Sequence, residues 1–505
     1  MHEEQGRRVT EALSAFLSTP LDAVLERCLH VDPREAALAL FHEVAVTVPA
    51  YPVFLADHGV DPAAVRTFDD LRRVPPVTKA GYVQRYPLAQ RCRGGRLEAC
   101  DMIAVSSGST GQPTFWPRFL TDELAVARRF EQVFHDSFAA AERRTLAVVC
   151  FALGTWVGGM FTASCCRHLA VKGYPITVIT PGNSKEEIFR VVTELGSSFD
   201  QVVLLGYPPF LKDVIDEGIA RGVRWPELRV RLVTAGEVFS EEWRTLVAER
   251  LGSRAPEHDF ASLYGTADAG VLGVETPLSI AIRRGLAARP ESARALFGQE
   301  RLPTLLQYDP HARFFEAEEG ALLFSGDNGV PLVRYGILDT GGVIPYAAML
   351  DAMQGAGFDA LAALAALPDT RQAPRALPFV FVFGRSDFTV SFYGANVFPE
   401  NVTVGLEQPG IQAWVTGKFV MEVKRDGDEN EHLSVVVELA PGEAPSDARR
   451  EAVAASIEAQ VCRLNSEFRA YVPEGRRAPQ VTLALTGDAA HFPIGVKHRY
   501  TRRPS

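Results

Sequence analysis

Between residues 100 and 275, short β-branched runs alternate with amphipathic stretches of helical spacing. "TLAVVCFAL", "YPITVIT", "QVVLLGY" and "VRLVTAG" are four such runs. They are short and built from residue types that suit a buried, pleated surface. "SKEEIFRVVTELG" and "SEEWRTLVAERLG" each begin at Ser and end at Gly. The serine hydroxyl can cap the first orphan amides, and the glycine can take the left-handed conformation that closes the last turn. Strand and helix in alternation predict a mostly parallel layer with helices over its faces, because parallel neighbours need a crossover connection. Residues 320–345 return to strand character.

The chain has 505 residues, more than one core usually organises, since single cores stop growing at roughly 250–300 residues. Residues 1–100 read as mostly helical. "TEALSAFLSTPLDAVLERCL" has helical spacing, and Pro75, Pro76 and Pro87 punctuate the end of the region. Residues 346–380 form an Ala/Leu-rich helical segment with a Pro/Arg tail. After Asp387 the pattern changes. "KFVMEVKRDG" and "HLSVVVELA" read as a strand hairpin, "SDARREAVAASIEAQVCRLNSEF" as a long amphipathic helix, and "QVTLALTG" as a last strand. The expected fold class is therefore α/β: a large domain over 1–386 with mixed and parallel sheets and helices, and a small C-terminal α+β domain over 387–505.

Charge and composition narrow the function. The net charge is −10, which speaks against a basic face for nucleic acid. The N-terminus lacks the basic start and apolar core of a secretory signal. No apolar run reaches the roughly 20 residues needed to span a bilayer. Seven cysteines, Cys28, Cys92, Cys100, Cys150, Cys165, Cys166 and Cys462, form no CxxC pair. Buried free thiols in a reducing cytoplasm are the expectation, with no nucleic-acid or membrane partner. The histidines show no HExxH or other metal spacing, and His258, His491 and His498 receive no role.

One stretch asks for a ligand. In "VSSGSTGQPTFW", residues 105–116, glycines let backbone amides approach an anion and hydroxyls add donors. The Walker spacing GxxxxGK[ST] is absent. Taken alone, the stretch fits either a phosphate cradle or a solvated Ser/Gly linker.

Other stretches settle the choice by resemblance. "SSGSTGQPT" is similar to the phosphate loop of the adenylate-forming superfamily, with Thr114 where many members carry lysine, as in its phenylacetate–CoA ligase-like branch. "YPVFLADHGVDPAAVRTFDDLRRVPPVTKAGYVQRYP" (51–87) resembles that branch's entry segment. "TAGEVFSEEWR" (234–244) resembles its adenine segment, and "YGTADAG" (264–270) its Tyr-Gly-x-[ST]-Glu. "PLVRYGILDTGG" (331–342) and "GRSDFTVSFYGANVFPENV" (384–402) match its later motifs. The motifs are collinear and span roughly residues 50–500.

The resemblance implies a role for each matched position. Ser106, Ser107, Gly108, Ser109, Thr110 and Gly111 would cradle the ATP phosphates. Gly236, Glu237, Tyr264, Gly265 and Thr266 would surround adenine. Asp339 would accept both ribose hydroxyls, a task suited to the two oxygens of a carboxylate. Arg385 would reach the ribose or phosphate. Asp268, one methylene shorter than the family's glutamate, would help hold Mg²⁺. Asp387 would be the hinge of a rotating small domain. Lys497 would bring a cation to the attacking carboxylate and α-phosphate. Phe151, Trp156, Tyr207 and Phe210 would line an apolar acyl pocket.

The implied activity is ATP-dependent activation of an aryl or small apolar carboxylic acid as acyl-AMP, then transfer to coenzyme A, with ATP, Mg²⁺ and CoA as cofactors or co-substrates. The implied location is cytoplasmic, and a homodimer is compatible with it. Two other readings stand beside this one. The acceptor could be an amine or a carrier-protein thiol, since 346–380 is longer than in the compared ligases and lies where the acceptor tunnel would be expected. The chain could instead be a degenerate nucleotide-binding protein.

Overall fold

The computed structural model describes residues 2–27, 30–97, 100–105, 114–154, 157–299, 301–368, 372–385, 390–393, 395–425, 431–465, 468–469, 472–493, 498 and 500–501. A two-stranded hairpin pairs β1 (Met102–Val105) with β2 (Phe115–Arg118). The main sheet contains β3 (Thr145–Val149), β4 (Ile176–Ile179), β5 (Gln201–Gly206), β6 (Val230–Ala235), β7 (Phe260–Thr266), β8 (Gly270–Val274), β9 (Thr304–Gln307), β10 (Phe314–Glu318), β11 (Ala321–Gly326), β12 (Leu332–Ile344) and β13 (Phe379–Arg385). Its order is β10-β11-β12-β13-β9-β8-β7-β6-β5-β3-β4, with eleven strands among the described residues.

The parallel expectation holds for one half of this sheet. Strands β4, β3, β5, β6 and β7 run parallel, whereas β7 and every pairing beyond it in the sheet are antiparallel. The change comes at β7 because β7 and β8 are joined across residues 267–269. A connection that short can only make a hairpin.

Burial follows the strand period. Ala147, Val149 and Phe151 face one core, under helices Leu120–Gln132 and Val157–Lys172. Leu146, Val148 and Cys150 face the other, under helices Lys185–Leu195, Pro208–Ala220 and Glu241–Leu251. Both serine caps form: Ser184 accepts from the Glu187 amide and Ser240 from the Trp243 amide. The two glycines differ. Gly252 is left-handed at φ 69°, but Gly196 keeps φ −54° and leads into a further 3₁₀ turn. A Cβ there would come within 2.9 Å of Leu228, so Gly196 serves packing and not termination.

The N-terminal region is helical, with helices at His2–Ser18, Leu21–Arg27, Pro33–Thr47 and Ala50–Asp57. Residues 346–368 supply helices Tyr346–Gly355 and Ala360–Ala365. Their Met349, Met353, Ala360 and Leu364 bury against Leu278, Ile282 and Phe379 of the large domain's own core. The Pro/Arg tail is anchored by Arg375, which pairs with Asp136 at 2.6 Å and Asp22 at 2.9 Å.

Beyond β13 a separate core begins at Val390. It holds hairpin β14 (Val390–Phe392) and β15 (Ala395–Val397), and the sheet β16 (Val415–Arg425), β17 (Glu431–Leu439) and β18 (Gln480–Ala484). Helices Pro399–Leu406 and Asp447–Leu464 cover it. β16 and β17 form the expected antiparallel hairpin, and β18 joins β17 in parallel after the long helix. Among the described residues, no single helix is long and apolar enough to cross a membrane. The described cysteines are unpaired, and burial pushes the Cys92 thiol up to about 11 and Cys166 to about 12.

Candidate active site

The antiparallel half of the sheet brings the predicted nucleotide residues together. Tyr264 near the end of β7 donates its hydroxyl to Asp339 Oδ2 at 2.5 Å. Its ring lies nearly parallel to Phe315 at 6.4 Å. Asp339 is buried on β12 and stands opposite Arg385 on β13 in register. The residue before it, Leu338, is left-handed at φ 66° and half exposed. Such backbone is costly for a branched side chain and persists only where its surroundings impose it. Here it accompanies an outward leucine beside an inward carboxylate.

Asp268 occupies the turn between β7 and β8 and is partly exposed. Tyr335, fully buried on β12, donates to its Oδ2 at 2.5 Å. Gly265 and Thr266 lead into this turn, and the Thr266 hydroxyl accepts from the Ala269 amide at 3.2 Å. Among the described residues no three metal-ligating side chains cluster, so Asp268 would contribute a single carboxylate. That suits Mg²⁺, which keeps waters and takes phosphate oxygens for most of its shell.

The segment expected at adenine and the residues expected to wall the acid touch. Gly236 has φ 85°, and a Cβ there would come within 2.7 Å of the Tyr207 ring. Only glycine permits that approach. Tyr207 in turn packs edge-on against Phe151, with centroids 5.0 Å apart. Phe210 departs from the expectation. It lies in the first turn of helix Pro208–Ala220 and packs with the core under the opposite sheet face, with Cys150 and Leu211, whereas Tyr207, the extended residue that precedes the helix, packs with the other core. Phe151 itself is 2% exposed, so it supports Tyr207 from within the core.

The small domain docks onto the same segment. Tyr500 donates to Glu237, and the Ser240 hydroxyl and amide both donate to Glu407 Oε2. Lys212 donates to the carbonyls of Gln412 at 3.0 Å and Val415 at 3.3 Å. Arg301 pairs with Glu400 at 2.9 Å. Burial lifts Glu407 to about 8, against the opposing pull of the Ser240 donors. Burial and the neighbouring Glu237 charge push the Tyr500 phenol well up. Tyr500 is placed by β16: its carbonyl accepts from Met421 N at 2.7 Å, and His498 Nε2 meets Phe419 O at 2.6 Å. Burial holds the His498 imidazole down at about 4.

Ser106, Ser107, Gly108, Ser109, Thr110, Gly111, Trp156, Asp387 and Lys497 lie outside the described residues, as does the Arg385 side chain. The strands flanking the serine-rich loop place Val105 directly opposite Phe115. Sequence reasoning did not single out Tyr335, Tyr500 or Glu407, and it gave Ser240 only the role of a helix cap. Tyr335 was within reach, since it belongs to the quoted "RYGILD"; the other two, and the bond from Ser240 to Glu407, are recognised only through contacts across the domains.

No protein-family model matches the chain. The phenylacetate–coenzyme A ligase of Thermus thermophilus is 26% identical over 316 residues. That match covers 60% of this chain and 65% of the relative, just under two-thirds of its length. A solved structure of 2-hydroxyisobutyryl-CoA ligase in the postadenylation state, in complex with 2-HIB-AMP, superposes with a TM-score of 0.65 at 13% identity. It covers 94% of this chain and 89% of that one. The chain shares the fold of that CoA ligase and is similar in sequence, over part of its length, to a phenylacetate–coenzyme A ligase. The same 2-hydroxyisobutyryl-CoA ligase with 2-HIB-AMP and CoA, in the thioesterification state, gives a TM-score of 0.52 at 14% identity. It covers 93% of this chain and 89% of that chain.

Proposed function

We propose that this protein is an AMP-forming acid–CoA ligase. A carboxylate oxygen of the substrate attacks the α-phosphorus of ATP. An O–P bond forms, the bond to the β-phosphate oxygen breaks, and acyl-AMP and pyrophosphate result. A thiolate of coenzyme A then attacks the acyl carbon, and AMP leaves with the electron pair of the broken C–O bond. The covalent changes occur within the substrates, so the chain's work is positioning and charge stabilisation.

The observation that carries this reading is the contact of the β7–β8 hairpin with β12, through the Tyr264–Asp339 and Tyr335–Asp268 hydrogen bonds, with Gly236 at the end of β6, the parallel neighbour of β7, against Tyr207. In the proposal, Asp339 takes the ribose hydroxyls, which would replace or share the Tyr264 bond. Gly236 and Tyr264 flank adenine. Ser106–Gly111 cradle the β- and γ-phosphates, and Arg385 stands across from Asp339. Bound Mg²⁺ would neutralise phosphate charge, with Asp268 as its protein ligand. Tyr207, backed by Phe151, walls an apolar acid. Lys497 serves the first half-reaction, and the small domain turns about Asp387 for the second. The division at that residue is supported by β13 ending the large sheet at Arg385 and the separate core starting at Val390. We place the reaction in the cytoplasm, where ATP and CoA are supplied.

The test is carboxylate-dependent ATP–pyrophosphate exchange across a panel of aryl and short apolar acids. Product mass spectrometry with CoA, with an amine and with neither then identifies the acceptor. Exchange with no acid in the panel, alongside intact ATP binding, would sink the ligase reading and leave a nucleotide-binding protein.

A further inference from the structure

The turn that carries Asp268 is gripped from behind by two buried arginines. Arg118, the last residue of β2, is 2% exposed and donates Nη2 to the carbonyl of Ala267. Arg313, just before β10, is 5% exposed and donates Nη2 to the carbonyl of Ala269 at 2.8 Å. The two guanidiniums therefore hold the carbonyls on either side of Asp268. Each is itself braced. Arg118 Nη1 contacts the carbonyl of Pro117, and Arg313 donates to Asn328 Oδ1 at 2.7 Å and to the carbonyls of Ala312 and Asp327. Tyr335 fixes the carboxylate from the third side.

This is costly construction for a surface turn. Desolvating a guanidinium costs several kcal/mol unless its protons find acceptors. Burial indeed pulls Arg313 down to about 10 and lowers Arg118, with Asp122 and Asp268 pulling Arg118 the other way. A hairpin turn closed by its own backbone bonds needs no such brace. A turn that must hold a short carboxylate at a set point does, because Asp has less reach than the glutamate of the resembling motif and cannot adjust by its side chain. Arg118 also belongs to the hairpin whose other end flanks the serine-rich loop. One residue thus ties the position of that loop's base to the position of the acidic turn.

We propose that Arg118 and Arg313 are positioning residues that hold the Asp268 carboxylate where a nucleotide-bound divalent cation meets the protein. The inference rests on the reading of Asp268 as the cation's ligand. It adds a cause for the tolerance of aspartate at that position: rigidity of the turn replaces side-chain length.

The probes are Mg²⁺ and ATP alone, with no acid present. Isothermal titration calorimetry of ATP at a series of free Mg²⁺ concentrations is run on wild type, Asp268→Asn, Arg118→Met and Arg313→Lys. Pyrophosphate exchange against free Mg²⁺ is measured in parallel. Loss of an outer positioning contact typically weakens metal affinity by about 10–100-fold, so both arginine variants should need about tenfold more free Mg²⁺ for half-maximal ATP binding. ATP binding without Mg²⁺ should stay unchanged, which a general loss of structure would not allow. On an Asp268→Asn background the arginine substitutions should add nothing further. If Arg118→Met does not fold, Arg313→Lys and Arg118→Lys decide, since each keeps the charge and loses the forked geometry. An unshifted Mg²⁺ requirement in the folded arginine variants, with a shifted one in Asp268→Asn, overturns the positioning role while leaving the cation reading intact. An unshifted requirement in Asp268→Asn removes that reading and the inference with it.

Discussion

Domain docking in this protein should weaken as pH rises, and Glu407 should be the reason. Its carboxylate is buried at the junction, with Ser240 Oγ and N as its donors. Glu242 on the facing helix pushes its pKa up, while Arg283 pulls it down. Lys212 and Tyr500 line the same pocket. In the docked arrangement Glu407 ionises near 8 instead of its ordinary 4.5. A carboxyl whose docked value is raised takes up a proton on docking throughout that window. Docking is therefore unpenalised below about pH 4.5, loses about 1.4 kcal/mol per pH unit above it, and levels off past about pH 8, a total of about 5 kcal/mol. From about pH 6 to about pH 7.5 the loss is about 2 kcal/mol, or roughly thirtyfold in the docking equilibrium.

Glu407→Gln removes the titration and keeps an oxygen for the Ser240 amide. The docked fraction can be followed by energy transfer between one dye on each domain, titrated from about pH 5.5 to about pH 8.5. Wild type should undock progressively over that range, and Glu407→Gln should be flat and more docked at the alkaline end. Ser240→Ala should lower docking at every pH, because it deletes a donor to the buried carboxylate. Parallel pH curves for wild type and Glu407→Gln would refute the argument, and the source of any pH dependence would then lie elsewhere in the interface.

Three further outcomes are expected. Asp339→Ala should weaken ATP binding by about tenfold or more, since charge-assisted hydrogen bonds are worth about 1.5–3 kcal/mol each; calorimetry giving wild-type affinity in a folded variant rules out the ribose role. Lys497→Ala should slow pyrophosphate exchange by about 10²–10³ while still consuming synthetic acyl-AMP with CoA, and equal losses in both assays would count against a half-reaction-specific lysine. Gly236→Ala forces a Cβ toward Tyr207 at a left-handed φ and should cost about 1–3 kcal/mol of stability together with a raised KM for the acid, so an unchanged melting temperature and KM would mean that the segment tolerates a side chain there.

Local order was legible because it is written at short range. The serine caps at 184 and 240, the alternation through β3, β5 and β6, and the strand–helix–strand order beyond residue 390 all follow from periods of two or 3.6 residues and from capping chemistry. The motif matches likewise marked Tyr264, Asp268 and Asp339, which the fold links through the Tyr264–Asp339 and Tyr335–Asp268 hydrogen bonds. Tertiary structure decided the rest, because the deciding partners are far apart in the chain. The antiparallel half of the sheet depends on β13 inserting between β12 and β9, with helices Tyr346–Gly355 and Ala360–Ala365 packed into the large domain's core. Phe210 packs with the core opposite the one that takes Tyr207, because the chain turns from extended at Tyr207 into the helix that begins at Pro208. Glu237 finds Tyr500 263 residues away, Ser240 finds Glu407 at 167, and Arg118 finds Ala267 at 149. No local period encodes such pairings. They exist because burying a charge or a carbonyl obliges the folded chain to supply a partner, and only the packed structure determines which residue is within reach.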